Sequence, residues 1–205
     1  MKKKIVGVFQ TRNIPHLGHE KIINKLMDRC DVVVINPVIG PKKKNDIKSL
    51  VLEKAYKFLI KNFYNEKLIY APVCANMFYS GPREAVHHAL LRKQFGFDKF
   101  IIGRDHAGAD NEYDPNYASK LVKSLKNKLG ISVISHNGSF WCENCKEIVI
   151  KGECKKLLNC NIKNNFSEIS GTNFRDALFK KNIFKFARPE LQKYLFEIKE
   201  EIFYI

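Results

Sequence analysis

No apolar run in the 205 residues approaches the ~20 that a membrane span needs. The nearest thing to a leader is Met1-Lys2-Lys3-Lys4 before Ile5-Val6-Gly7-Val8-Phe9. Its apolar part stops at Gln10, short of the roughly 7–15 residues of a signal h-region. These absences predict a cytoplasmic protein and leave Ile5–Phe9 to be read as a first strand. Acidic residues are scarce beside basic ones, 21 against 36, for a formal net charge of +15. Such a charge concentrates phosphates, nucleic acids and anionic lipids alike without choosing among them. No basic run is interleaved with aromatics. The lysines are spread out, with one short run at Lys42-Lys43-Lys44, and they read as a solvated surface rather than a nucleic-acid groove. Internal repeats, low-complexity segments and Gly/Ser linkers are also lacking, so residues 1–205 are expected to form a single domain.

What is present alternates between β-branched runs and amphipathic stretches. Residues 4–9 predict a strand, His19 to Arg29 a helix with Ile22, Ile23 and Leu26 on one face, and residues 31–37 a second, buried strand. Residues 40–47 read as a loop, 48–63 as a long helix, 67–71 as a strand and 82–95 as a helix. Lys99 to Gly103 predicts a strand, 117–128 a helix, and Ile131 to Ser135 a strand. A last helix is expected from about Asn173. Strands alternating with helices of 10–16 residues mean βαβ units and a parallel sheet, an α/β fold. Ligands of such sheets bind beyond the carboxyl ends of the strands. Two polar clusters, at 10–19 and 104–108, fall at strand ends and so can face one crevice.

The first cluster carries the chemistry. His16-Leu17-Gly18-His19 opens the first helix, where free N–H groups and the helix dipole suit a phosphate. The two histidines lie on one side of the first turn and can donate to phosphate oxygens as pyrophosphate leaves. The same tetrapeptide also allows a mere capping or packed histidine pair. Before it, Gln10, Arg12 and Asn13 supply three donors and no carboxylate, a set suited to an oxyanion.

Gln10-Thr11-Arg12-Asn13 with His16-Leu17-Gly18-His19 resembles the QTRN and HxGH signature of the ATP sulfurylase (sulfate adenylyltransferase) family. Tyr79-Ser80-Gly81-Pro82-Arg83-Glu84-Ala85 resembles that family's YAGPREA segment, and Gly103-Arg104-Asp105-His106-Ala107-Gly108 its GRDHAG loop. Asn36-Pro37-Val38-Ile39-Gly40, Tyr113-Asp114-Pro115, Ile169 to Arg175 and Ala187-Arg188-Pro189-Glu190 also correspond, in order, from about residue 5 to 192. The resemblance implies a Rossmann-like nucleotidyltransferase fold. It also implies a reaction in which ATP and sulfate give adenosine 5′-phosphosulfate and pyrophosphate, by direct attack of a sulfate oxygen on the α-phosphorus. By that resemblance Gln10 and Arg12 would hold sulfate, with the backbone at Ala107. Asn13, His16 and His19 would hold the ATP phosphates, with Thr11 helping to position them. Arg104 and His106 would line the nucleotide side, and Ser170 and Thr172, besides acting as helix caps, would contact nucleotide or phosphate. Magnesium would arrive with ATP.

Some features depart from the family. Proline stands one place later, in Asn13-Ile14-Pro15-His16, which reshapes the loop because proline fixes φ. The family's additional N-terminal domain is expected to be absent, since the first strand begins almost at Met1. No P-loop follows, so no kinase domain is expected. These leave open another acceptor, such as a phosphate ester or phosphonate, or CTP in place of ATP. From a different class, a non-catalytic nucleotide- or RNA-binding protein also stays open. No membrane partner is expected, a nucleic acid is disfavoured, and a homo-oligomer is left open.

Six cysteines include Cys142, Cys145, Cys154 and Cys160, in the spacing C-x2-C-x8-C-x5-C. In a cytosolic chain such a group reads as a structural zinc site that staples an insertion at about 140–162, a segment without clear periodicity. Some bacterial ATP sulfurylases resemble this, with a histidine as fourth ligand where this chain has Leu158, so Cys160 would substitute. Cys30 and Cys74 read as buried small hydrophobes. Arg83 is expected at phosphate or paired with Glu84, and Arg175 at phosphate or in solvent. Of His87 and His88, one is expected to pack rather than react. The aromatic tail (Phe184, Phe186, Tyr194, Phe196, Phe203, Tyr204) reads as core or as a subunit contact.

Overall fold

The computed structural model describes residues 3–42, 44–64, 66–103, 113–114, 116–136, 138–150, 154, 166–198 and 201–204. The chain divides into two compact units. The first comprises residues 1–11, 26–42 and 66–137, the second residues 12–25, 43–65 and 138–205.

The first unit holds the five-stranded parallel sheet that the alternation predicts. Its strands are β1 (Val6–Phe9), β2 (Val32–Ile35), β3 (Leu68–Tyr70), β4 (Lys99–Ile102) and β5 (Ser132–Ser135), in the order β3-β2-β1-β4-β5. The order reverses between β1 and β4, which pair in parallel from Gly7 opposite Lys99 to Phe9 opposite Ile101. That reversal is the switch point where doubly wound sheets bind ligands, and Gln10 follows β1 directly there. Helices α3 (Pro82–Gln94) and α4 (Tyr117–Ser124) pack on each other. With the sheet they enclose a core of Val8, Ala85, Ala89, Phe100, Ile102, Ala118, Val122, Leu129 and Ile131. Alanines on α3 let the helix approach the sheet closely, and β-branched residues fill the pleats.

Beyond β2 the pairing continues outside the strands. Ile39 N–H donates to the Val73 carbonyl and Val73 N–H to that of Pro37, each at 2.9 Å, while the Asn36 side chain donates to the Ala71 carbonyl at 2.6 Å. Arg92, wholly buried, reaches the Asn36 carbonyl at 3.4 Å and lies over the Phe100 ring. Burial lowers its pKa to about 10, which leaves it charged at neutral pH.

The second unit contains most of α1 (Leu17–Met27), α2 (Ser49–Phe63), α5 (Gly171–Phe179) and α6 (Pro189–Glu197). It also holds a three-stranded antiparallel sheet, β7-β6-β8, from β6 (Ser139–Cys142), β7 (Glu147–Ile150) and β8 (Phe166–Glu168). This sheet corrects the expectation of a segment without periodicity. Phe140 and Cys142 on β6 and Val149 on β7 face one small cluster, and Lys146, at φ +54°, closes the hairpin. The turn is built around two cysteines instead of an Asn-Gly or Asp-Gly pair, and this hid the hairpin. The aromatic tail, expected as core or as a subunit contact, is half-buried at most, with Phe196 exposed, and makes ring contacts within the unit. Phe184 stacks on Phe174 at 5.0 Å, Tyr194 on Phe58 at 4.6 Å, and Phe203 meets Phe179 edge-on.

Helix ends move slightly from expectation. α1 starts at Leu17 rather than near His19, α5 at Gly171 rather than Asn173, and α4 stops at Ser124 rather than 128. Cys30 is buried, as expected, and burial raises its thiol pKa. Cys74 is exposed, contrary to expectation, because burial alternates along residues 73–80 and Cys74 falls among the outward-facing positions. Among the described residues no helix is long and apolar enough to cross a membrane.

A side chain at Gly40 would run into the Ala75 carbonyl, which is backbone and cannot step aside. Gly40→Ala is therefore expected to destabilise by about 1–3 kcal/mol. Urea denaturation against wild type checks this, and an unchanged midpoint would show that the loop yields freely.

Candidate active site

In the first unit, the carboxyl end of β1 delivers Gln10. Its Nε2 lies 3.0 Å from His88 Nδ1 on α3. His88 is buried, and its Nε2 lies 3.4 Å from Glu84 Oε1, one turn earlier on the same helix. Glu84 is the third residue of α3, counting Pro82 as the first, and its carboxylate reaches back to backbone amides that precede the N-cap Gly81. Its Oε1 accepts from the Phe78 N–H at 2.9 Å and its Oε2 from that of Ser80 at 2.8 Å. Tyr79 and Gly81, with φ of +54° and +58°, bend the chain so that these amides point at the carboxylate. Glu84 thus pairs with His88 and backbone rather than with Arg83. Arg83 and His87 line a cavity of about 840 Å³ with Phe78, Ser80, Tyr113 and Tyr117.

In the second unit, His16 is buried and caps α1. Its Nδ1 accepts the backbone N–H of His19 at 3.2 Å, and its carbonyl accepts that of Glu20. Burial lowers its pKa to about 3. The ring is neutral at physiological pH, and with Nδ1 accepting, the proton sits on Nε2. The His16 and His19 rings stack at 3.7 Å, 18° from coplanar. So the capping role left open by the sequence is realised, and it also fixes which nitrogen donates. Gly18 sits in a tight place, because a Cβ there would stand 3.0 Å from both the His16 ring and Ser139 and could enter only if one of them gave way slightly.

The rest of the turn is clamped. Leu17 N–H donates to the Phe186 carbonyl at 2.8 Å, and Ser139 Oγ donates to that of Gly18 at 2.9 Å. Arg188 grips Glu20 with two nitrogens, Nε at 2.9 Å from Oε1 and Nη2 at 2.8 Å from Oε2, and stacks its guanidinium on Phe63. The amides at Leu17 and His19 are therefore already engaged, leaving less of the helix end for a phosphate than the sequence alone implies.

Asn13 meets α5. A Cβ on Gly171 would come 2.5 Å from Asn13 Cγ and Nδ2, so only glycine admits the asparagine there. Ser170 caps α5, its Oγ accepting the Asn173 N–H at 3.2 Å. Thr172 lies inside the helix and accepts from Arg175 Nη2 at 3.3 Å. Arg175 was expected at phosphate or in solvent; instead its Nη1 pairs with the buried Asp46 at 2.9 Å. Thr11 is buried and Arg12 half-buried. Sequence reasoning overlooked the His88–Glu84 pair behind Gln10, the Glu20–Arg188 clamp and the Asp46–Arg175 pair. The partners lie within or beside sequence motifs named above, but nothing in the sequence pairs them with each other.

Cys142, Cys145 and Cys154 place their sulfurs within 4.8 Å of one another, with Cys145 and Cys154 at 3.2 Å and no disulfide between them. The cluster could hold a metal ion. Arg104, His106, Ala107 and Cys160 lie outside the described residues.

Comparison with known proteins agrees with this geometry. The family model for ATP-sulfurylase matches residues 1–197. The chain is 40% identical over 178 residues to the sulfate adenylyltransferase of Pyrococcus abyssi, covering 86% of this chain and 45% of that one. It is 37% identical over 203 residues to that of Staphylothermus marinus, covering 97% and 51%. The chain thus spans about half the length of these curated relatives. A solved structure described as a hexameric APS kinase from Thiobacillus denitrificans aligns with a TM-score of 0.67 at 14% identity, over 94% of this chain and 36% of that one, a likeness of fold alone. With the motifs in order and the family model matching residues 1–197, the chain belongs to the ATP-sulfurylase family.

Proposed function

We propose that residues 1–205 act as one cytoplasmic catalytic domain that joins ATP and sulfate into adenosine 5′-phosphosulfate and pyrophosphate. The family match over residues 1–197 carries this reading. The His16–His19 turn supports it, because it fixes a neutral donor ring against a second ring before any ligand arrives. Gln10 and Arg12 hold the sulfate. Asn13, His16 and His19 meet the ATP phosphates, largely with side chains, and Thr11 keeps the loop in place. Arg104, His106, Ala107, Ser170 and Thr172 complete the substrate contacts, with Ser170 contributing through its backbone because its hydroxyl caps α5. A sulfate oxygen attacks the α-phosphorus opposite the departing pyrophosphate. Such transfer needs positioning and charge neutralisation rather than a protein nucleophile, and magnesium arriving with ATP would supply part of that neutralisation.

Wild-type protein with ATP should release pyrophosphate when given sulfate, and also with molybdate, whose AMP adduct hydrolyses readily. Release only from CTP with a phosphorylated metabolite would transfer the assignment to another acceptor. Nucleotide or RNA binding without turnover would make the chain a binding module.

Arg12→Ala and His19→Ala should each lower turnover by roughly 100-fold or more while leaving the fold intact, as for loss of a preorganised donor. His16→Ala should add a stability loss of about 1 kcal/mol, because it also removes the α1 cap. Steady-state rates and melting curves separate the two effects, and near-wild-type rates would remove a residue from the mechanism.

The cysteine cluster is proposed to hold a structural zinc through Cys142, Cys145, Cys154 and Cys160. Three soft thiol donors at tetrahedral reach fit that ion, and a closed four-ligand site has no position for substrate. Elemental analysis should find about one zinc per chain, lost in Cys142→Ser. Protein purified without chelator and free of zinc would overturn the assignment. Cys160→Ser with zinc retained would show that another group is the fourth ligand.

A further inference from the structure

We propose that His88, oriented by Glu84, is a positioning residue that turns the side-chain amide of Gln10 so that its NH2 group faces the oxyanion. The proposal rests on the sulfate reading above, in which Gln10 is an oxyanion ligand.

The three side chains form a line inside the first unit. Backbone amides of Phe78 and Ser80 fix the Glu84 carboxylate, Glu84 Oε1 stands 3.4 Å from His88 Nε2, and His88 Nδ1 stands 3.0 Å from the Gln10 amide. The Glu84 and His88 side chains are 1% and 2% exposed. A carboxylate held by two N–H donors is an acceptor, so His88 Nε2 carries a proton toward it. His88 Nδ1 then decides the orientation of Gln10. With Gln10 Nε2 turned to His88, Gln10 Oε1 is left buried without a hydrogen-bond partner among the described residues. That is a costly arrangement, and an acceptor so placed would repel an anion. The oxygen and nitrogen of an amide are alike in shape, so a half-turn costs no packing. After it, His88 Nδ1–H donates to Gln10 Oε1, that acceptor is satisfied, and both amide N–H groups turn away from His88, toward the oxyanion that the sulfate reading assigns to Gln10. Glu84 supplies the counter-charge for an imidazole protonated on both nitrogens. His88 itself lies behind Gln10 and need not touch substrate.

The test is steady-state kinetics of pyrophosphate release by the full chain with ATP and sulfate, on His88→Asn, His88→Gln and His88→Leu. Asparagine places an amide where Nδ1 was and keeps the contact with Gln10; glutamine reaches toward Glu84 and loses it. His88→Leu should raise the KM for sulfate about tenfold, equivalent to one well-placed hydrogen bond, with the KM for ATP within about twofold. His88→Asn should restore most of the sulfate KM and His88→Gln should not. If the leucine variant does not fold, the asparagine and glutamine pair carries the comparison. An unchanged sulfate KM in folded His88→Leu overturns the proposal, as do equal shifts for ATP and sulfate or glutamine rescuing better than asparagine. A wild-type chain inert with sulfate overturns the functional reading, and this proposal with it.

Discussion

The geometry of the His16–His19 turn depends on a carboxylate in its own helix. Glu20 is buried, and a buried charge is tolerated only when paired and hydrogen-bonded. Arg188 supplies both through a two-pronged contact, and its own guanidinium is supported by Phe63. That contact ties the first turn of α1 to the start of α6, while Phe186 and Ser139 hold the neighbouring backbone. Within the clamped turn His16 has little freedom. It caps the helix, stays neutral and presents one defined nitrogen. Preorganisation of this sort is what a charge-stabilising site requires, because the donors need not reorganise when charge appears.

Much of this was legible in the sequence, for reasons that differ from element to element. The parallel sheet was readable because runs such as Val32–Ile35 and Lys99–Ile102 are short, apolar and bounded by polar clusters. The donor loop was readable because Gln10, Arg12 and Asn13 stand together with no carboxylate. The β6–β7 hairpin was not, since its turn is built on cysteines rather than on the usual turn residues. The pairing of Arg175 with Asp46 was not either: the partners lie 129 positions apart, and nothing in either neighbourhood announces the other. Where periodicity set the helix starts they fell two residues late at α1 and α5, while the capping readings of His16 and Ser170 marked the right places.

The fold also shows how glycine controls close approach. Gly40 and Gly171 sit where a Cβ would strike a neighbour, respectively the Ala75 carbonyl and the Asn13 side chain, and Gly18 sits where one would crowd the His16 ring. Two of the three partners belong to the donor loop. The loop is therefore shaped as much by what is missing from its neighbours as by its own side chains.

The strand β6 joins two features that the sequence presents as unrelated. Ser139 at its start holds the Gly18 carbonyl, and Cys142 at its end belongs to the sulfur cluster. The two residues are one strand length apart in a single sheet. A slip of β6 by one residue against β7 and β8 would turn both side chains to the opposite face, so the Gly18 contact and the sulfur cluster depend on one and the same register.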